Sequence, residues 1–460
     1  MDAGLIAVLD VGKTHAKLLI VDAVRGETVH EQSRISGGVT GPLVRELDVG
    51  ALERWLFEAL AGYPERARIG HIVPIAHGAA AVLLDAAGQP LVAPDYEDPA
   101  FESVADAYRP QRDAFSATCS PFLPLGLNLG RQWYFLQQHD PALFDRVRHA
   151  LLYPQYWAWR FCAVAASEIT SLGCHSDLWR ARDARFSDLA IRQQWPARLP
   201  TLHRAADVLG TVTGPVARAT GLRPDCQVHC GLHDSNASYL CHLGARGNDR
   251  PFCVVSSGTW TVILAHGSPL DALDERLDML ANIDARGQAV ATARFMGGRE
   301  YARIAGPEGL QATATEAALR TLIREGVMAL PGFAPDGGPF AHRSGSILHA
   351  HRIGTACERA TLATVYVALV TDFLLDQLRA HGEIILDGPL ASNALYAQLL
   401  QALRPRDPVL VVAHRHAHAG AARYLVTGLA PVAAASPAAP ALQCDGLDGY
   451  RRAWLRQIAG

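Results

Sequence analysis

An α/β fold built as two duplicated halves is predicted by three features of the 460-residue chain. Two hairpin-like segments share one plan: LIAVLD, VGKTH and AKLLIVD near the start, then FCVV, SSGTW and TVILA further on. They lie about 250 residues apart, too far for a solenoid or propeller repeat and suited to a duplicated domain. Strand-like and helix-like segments alternate after the second hairpin, the order that builds a helix-covered sheet. With 49% hydrophobic and 19% charged residues the chain can bury large cores, enough for two or three domains.

Each element follows from its local pattern. Residues 5–22 read as strand, glycine turn and strand, apolar blocks bounded by small and polar residues. ALERWLFEALAGY (51–63) and the whole run 141–162 carry apolar residues at helical spacing, and 67–85 reads as strand, turn, strand. In the second hairpin Ser256 matches Asp10, Gly258 matches Gly12 and Trp260 matches Thr14. ERATLATVYVALVTDFLLDQLRAHG then predicts a long helix stopping at Gly382, followed by the strand EIILDG, the helix NALYAQLLQAL and the strand PVLVV. The Ala- and Pro-rich stretch 429–443 reads as a linker, before an amphipathic helix near DGYRRAWLRQIA that docks back on the body. The expected division is 1–242, 243–430, and a linker with terminal helix over 431–460.

Composition removes several function classes. Forty-two Lys plus Arg against 45 Asp plus Glu leave a formal charge of −3, with no basic excess to hold a nucleic-acid backbone. The first residues lack the basic patch and apolar run of a secretory signal, and no 18-residue apolar stretch is read later, so a soluble, cytoplasmic protein without a membrane partner is expected. The nine cysteines form no C-x-x-C pair and are expected as free thiols. A metal site from Cys226, His229, Cys230 and His233 is the weaker reading of that segment. Lys13 and Lys17 are the only lysines, which marks the first turn for a compact positive charge.

Four sets of polar residues could carry chemistry. In the first turn Gly12 lets a ligand approach the backbone, Thr14 offers a hydroxyl, Lys13 and Lys17 offer charge, and Asp10 can hold Mg2+ directly or through water, a set suited to a nucleotide's phosphates. An ordinary tight hairpin is the plainer reading. The second turn places Ser256, Ser257 and Thr259 around Gly258, and two such turns facing each other can grip one polyphosphate. The segment GLHDSNAS (231–238) offers Asp234 as a general base beside His233, at a strand end opening into a helix. Its plainer reading is a helix N-cap. His77 and Gly78, followed by Asp95, Tyr96 and Glu97, suit a polyol, with acceptors for hydroxyls and a ring for an apolar face. A solvated loop is the alternative there.

Together these residues resemble a known family. D-x-G-x-T-x-x-K at the start, H-G-A near 77, the YWAWRF helix with SEITS after it (154–171), G-x-H-D near 234 and SSGTW near 257 are similar, in order and spacing, to the FGGY family of carbohydrate kinases over residues 5–427. The resemblance implies two actin- or hexokinase-like (ribonuclease H-like) domains with a central cleft, and transfer of the ATP γ-phosphate to a sugar hydroxyl. It makes Asp234 the base, with Asp10 and Asp234 at Mg2+. It puts Gly12, Thr14 and Lys17 on the first phosphate loop, and Ser257, Gly258 and Thr259 on the second. The first domain would hold the sugar through His77, Gly78 and His233, with Asp95, Tyr96 and Glu97 as neighbours. The family's glycine-rich adenosine motif is replaced here by DGPLASN (387–393), where Gly388 and Asn393 fit, and Lys13 stands where many relatives carry threonine. Its cofactor role is read from charge alone. The wall of the nucleotide site could include MGGRE (296–300), which reads equally as a structural glycine turn.

SSGTW and the pattern around Asp234 look more like the rhamnulose and fuculose kinase branches than the xylulose or glycerol branches, so the expected acceptor is an L-ketose such as L-rhamnulose or L-fuculose. Another pentulose, xylulose or ribulose, is the alternative. The rivals of another class are a non-catalytic sugar or nucleotide sensor of the same fold and a filament or chaperone ATPase. Intact Asp10 and Asp234 argue against the first, and the HGA and DYE segments against the second. The expected partners are sugar and ATP, with a homodimer as the oligomeric candidate.

Overall fold

The structure, a computed structural model, describes residues 4–246, 250–334, 337–412, 417–429, 435–437 and 442–459. The chain divides into two compact units, the first from Met1–Gly247, Ala281–Ala289 and His416–Ala433, the second from Asn248–Leu280, Val290–Arg415 and Ala434–Gly460. This corrects the contiguous division at 242 and 430. The helix Asp234–Arg246 runs past the expected first boundary. The helix Ala417–Thr427 buries Ala419, Ala421 and Ala422 against the first unit's sheet, so it belongs there although it follows the second unit in sequence.

In the first unit the strands Val208–Thr211, Gln227–His229, Ile69–Ala76, Leu5–Val11, His15–Asp22 and Thr28–Ile35 lie side by side in that order, and the short strand Leu232–His233 also pairs with Ile69–Ala76. Leu5–Val11 runs parallel to Ile69–Ala76 and antiparallel to His15–Asp22. Alternation along Leu5–Val11 sorts its side chains onto two cores. Leu5, Ala7, Leu9 and Val11 face the helices Val49–Gly62 and Tyr153–Cys162 through Leu56, Leu60, Trp157 and Phe161. Ile6 and Val8 face Ala237, Leu240, Ala421 and Ala422 on the other side.

The run 141–162 is not one helix. A short helix, Pro141–Asp145, is followed by the strand His149–Leu152 and the helix Tyr153–Cys162. HALL is apolar enough for either period, and the antiparallel partner Ala81–Leu84, remote in sequence, selects the strand.

In the second unit Ala289–Phe295, Thr261–His266, Phe252–Ser257, Glu383–Asp387, Val409–Val412 and Ala435–Pro437 lie side by side in that order. The helix Ala356–Gln377 starts on a capping box in which the Thr355 hydroxyl accepts from Glu358 N–H and the Glu358 side chain accepts from the backbone of Thr355. It is long and apolar enough to cross a membrane, a correction to the expectation that no such stretch exists. Its side chains, among them Leu362, Val365, Leu369 and Leu374, are buried with Val255, Ile384 and Leu386, which makes it a core helix of this unit. The expected linker at 429–443 falls largely outside the described residues. The terminal helix Leu447–Ala459 docks on the second unit: Trp454 is buried and donates to Ala329 O at 3.0 Å, and Arg451 pairs with buried Asp372 at 2.6 Å.

Candidate active site

In the first unit the parallel strands bring chemistry to one edge. Val11 and His233 both pair with Ala76, from opposite sides of the strand Ile69–Ala76. The carboxylates of Asp10, one residue before Val11, and Asp234, one residue after His233, are therefore carried to the same edge of the sheet. Asp234 opens the helix Asp234–Arg246, and its Oδ1 accepts from Ser235 N–H at 2.6 Å and the Ser235 hydroxyl at 3.2 Å.

His233 is oriented by its neighbours. Asn236 Nδ2 lies 3.2 Å from its Nδ1, which makes Nδ1 the acceptor and leaves the proton on Nε2, 3.1 Å from Asp234 Oδ1. Burial holds the imidazole below its usual pKa. The backbone N–H of His233 donates to the Thr170 hydroxyl (2.9 Å), which in turn donates to Glu168 at 2.5 Å. A β-carbon on Gly78 would stand 2.8 Å from His233 Nε2, so only glycine fits between the end of the strand Ile69–Ala76 and this ring.

His77 joins the segments. Its Nδ1 must donate to Gly78 O, 2.9 Å away, because a carbonyl only accepts. Burial pushes its pKa down, and the charges of Asp234, Lys13 and Asp95 all act on it. The rings of Tyr153 and Tyr96 lie 4.9 and 5.8 Å from it. The HGA, DYE, first-turn and GLHD segments, far apart in sequence, thus converge.

The first turn itself is closed by Gly12 N–H on His15 O at 3.0 Å and braced by the Ser36 hydroxyl on Gly12 O at 2.8 Å. Thr14 is exposed and Lys17 is half-buried, 3.8 Å from Glu31. Lys13 does not extend as an unpaired charge: its Nζ lies 2.5 Å from Asp95 and 3.5 Å from Glu97, with the Tyr96 ring centroid at 5.1 Å. Arg45, which carried no signal in sequence, pairs with the other oxygen of Asp95 at 2.7 Å. Burial alone would raise the Asp95 pKa, but the bonds from Lys13 and the Glu97 N–H, with the charges of Lys13 and Arg45, hold it below the ordinary value. His418 is a second residue without a sequence signal; its Nδ1 lies 3.1 Å from Asp10 Oδ2.

In the second unit the turn repeats the first. Gly258 N–H donates to Trp260 O at 2.9 Å, and Gly258 and Thr259 are exposed. Ser256, half-buried, pairs with Asp387 across the parallel strands. Ser257 is buried, and its hydroxyl donates to Asp387 O (2.7 Å) and accepts from Leu390 N–H (3.0 Å), which fastens the turn to the loop carrying Gly388. Asn393 caps the helix Ala394–Leu403 and donates to Thr364 at 2.9 Å. MGGRE opens the helix Gly297–Gly309, where a β-carbon on Gly298 would come within 2.3 Å of Gly258 O.

Among the described residues no three His, Cys, Asp or Glu side chains group as a metal site, and His229 pairs instead with His71 at 3.1 Å. All nine cysteines are free. Two carboxylates at one sheet edge suit Mg2+, which takes one or two protein oxygens and completes its shell with phosphate and water.

Two α/β units with polar turns after matching strands, and a carboxylate beside a neutral histidine, describe a phosphotransferase that acts on alcohols. Residues 249–435 match the family model for the C-terminal domain of FGGY carbohydrate kinases. A carbohydrate kinase from Novosphingobium aromaticivorans is 36% identical, with 99% of this chain and 98% of that one covered and a TM-score of 0.86. A ligand-bound xylulose kinase and a gluconate kinase, both from Lactobacillus acidophilus, share the fold at TM-scores of 0.81 and 0.80, with 14% and 13% identity and 99% of this chain and 97% of each covered. The chain belongs to the FGGY family of carbohydrate kinases, and ATP is its phosphoryl donor.

Proposed function

We propose that this kinase phosphorylates a ketose, an L-ketose such as L-rhamnulose or L-fuculose, with Asp234 as general base. The observation that carries the reading is the convergence of Asp234, Asp95 and Lys13 on buried His77, beside two tyrosine rings. Hydroxyls of a sugar find acceptors there, and the rings offer an apolar face to a deoxy carbon.

In the reaction the acceptor oxygen attacks the γ-phosphorus, the bond from that phosphorus to the ADP oxygen breaks, and the hydroxyl proton passes to the Asp234 carboxylate. The His233 Nε2–H and Ser235 N–H on Oδ1 orient the carboxylate and leave Oδ2 for that proton. Asp10 and Asp234 would hold Mg2+, which neutralises phosphate charge when bound. Gly12, Thr14 and Lys17 on the first turn and Ser257, Gly258 and Thr259 on the second are the proposed phosphate contacts, with Gly388 and Asn393 towards the nucleoside. Free thiols throughout and ATP as donor support a cytosolic setting.

ADP release measured against ribulose, xylulose, rhamnulose and fuculose in both hands tests the acceptor. The L-6-deoxyketoses are expected to give the highest kcat/KM; a preference for xylulose, the sugar named for the Lactobacillus xylulose kinase, replaces them with a pentulose.

The donor side has its own test. Gly388 has φ 83°, and a β-carbon there would lie 2.0 Å from Ser257 O. Gly388→Ala must therefore push the loop off the second turn, and a displacement near 1 Å can cost up to about 100-fold in rate. The expected result is a KM for ATP raised about tenfold or more, with the acceptor KM nearly unchanged. An unaltered ATP KM removes this loop from the donor site.

A further inference from the structure

We propose that Lys13, although it sits in the first phosphate turn, is an acceptor-site residue, and that the charge balance it completes selects an uncharged sugar over a sugar acid. The inference rests on the reading that the segment Asp95 to Glu97 faces the acceptor.

Asp95 is 2% exposed, and both its oxygens are occupied by cations: Oδ1 by Lys13 at 2.5 Å, Oδ2 by Arg45 at 2.7 Å. Glu97 lies 3.5 Å from Lys13 and 3.3 Å from Arg45. Two cations therefore meet two carboxylates, and His77 beside them is held neutral by burial. A charge-assisted bond to a buried carboxylate is among the stronger polar contacts a lysine can make. Turning Lys13 towards a phosphate would leave Asp95 buried with half its compensation, a costly state. The Tyr96 ring 5.1 Å from the ammonium favours the same position.

The arrangement has a consequence for the substrate. A neutral polyol can share hydrogen bonds with carboxylates already fixed by Lys13 and Arg45, without adding charge. A sugar carboxylate would have to displace Asp95 or Glu97 from these cations, in a site that also carries the Asp234 and Asp10 carboxylates. Lys13 thereby acts as a specificity residue, and Lys17, half-buried on its strand and 3.8 Å from Glu31, is the lysine left to the phosphate side.

Steady-state kinetics on Lys13→Met, Lys13→Arg and Asp95→Asn, with melting temperature as a check of folding, test this. Lys13→Met is expected to raise the acceptor KM about tenfold or more, the scale of one charge-assisted bond, with the ATP KM within about twofold; Lys13→Arg should recover part of the loss. The parent enzyme should prefer its best neutral ketose to gluconate by at least about 100-fold in kcat/KM. A rise in ATP KM with the acceptor KM unchanged overturns the assignment of Lys13. Gluconate used as well as any ketose overturns the charge argument. If Asp95→Asn also leaves the acceptor KM untouched, the underlying reading of that segment fails; if Asp95→Asn raises it and Lys13→Met does not, only the present inference fails. Calorimetric titration of ADP into parent and Lys13→Met decides the donor side independently of turnover: equal affinity is expected, and a loss beyond about threefold counts against the proposal.

Discussion

Asp234→Asn is expected to lower kcat by about two to four orders of magnitude, the range that general-base catalysis supplies, while the protein folds normally. The substitution is nearly isosteric. An asparagine oxygen can take over the three contacts on Oδ1, from Ser235 N–H at 2.6 Å, the Ser235 hydroxyl at 3.2 Å and His233 Nε2–H at 3.1 Å, so the bonds at the helix start are kept. What the amide loses is the second acceptor: its NH2 group cannot receive the proton of an attacking hydroxyl. The loss should therefore fall mainly on the chemical step, and single-turnover measurements should show it as a slow transfer rather than slow product release. A normally folded variant with undiminished turnover would remove Asp234 as the base.

Much of this site was legible in sequence for a simple reason. The hairpins, the GLHDSNAS strand end and the DGPLASN loop are local patterns, and each lies where an apolar strand stops and a polar turn begins. The seven-residue strand Leu5–Val11 and its partner His15–Asp22 are apolar runs joined by a short polar turn, so Asp10 and the turn after it are placed by short-range rules alone. The strand Phe252–Ser257 repeats them.

What could not be read depends on contacts between residues remote in sequence. Lys13 looks like a phosphate ligand when only its turn is considered, and Asp95, 82 positions away, redirects it. Arg45 gains meaning only from the same carboxylate. His418 lies in a stretch of Ala, His and Gly with no motif, and becomes notable because its helix packs beside Asp234–Arg246 and reaches Asp10. The same cause moved the domain boundaries. Residues 281–289 and 416–433 join the first unit by packing, a property that composition along the chain does not encode. HALL illustrates the limit at the smallest scale, since so short a run with three apolar residues satisfies both periods until a partner strand is known.

Glu168 supplies the other large effect, because a single buried acid makes the first unit's stability depend on pH. The SEITS motif looked like part of a family signature with no role of its own, yet Glu168 is fully buried and accepts from Thr170 N–H at 2.9 Å and the Thr170 hydroxyl at 2.5 Å. Burial pushes its pKa from 4.5 up to about 8, against the lowering effect of the Thr170 bonds. Between these values the folded protein holds a proton that the unfolded chain has released. The stability linked to this group is thus fully present below pH 4.5 and is lost as the pH climbs to about 8. Glu168→Gln keeps an acceptor for both Thr170 donors and removes the titration. Parent and variant should melt at similar temperatures near pH 4.5, and the variant should gain steadily until, at pH 8, it is ahead by roughly a few kcal/mol. Thr170 also receives the His233 N–H at 2.9 Å, so the same bonds that neutral Glu168 makes hold the backbone just before the proposed base. Melting midpoints recorded at pH 5, 6.5 and 8 (conditions chosen as roughly spanning the transition) decide the matter: a constant difference between the two proteins means that Glu168 does not change protonation on folding, and the network then owes nothing to a buried neutral acid.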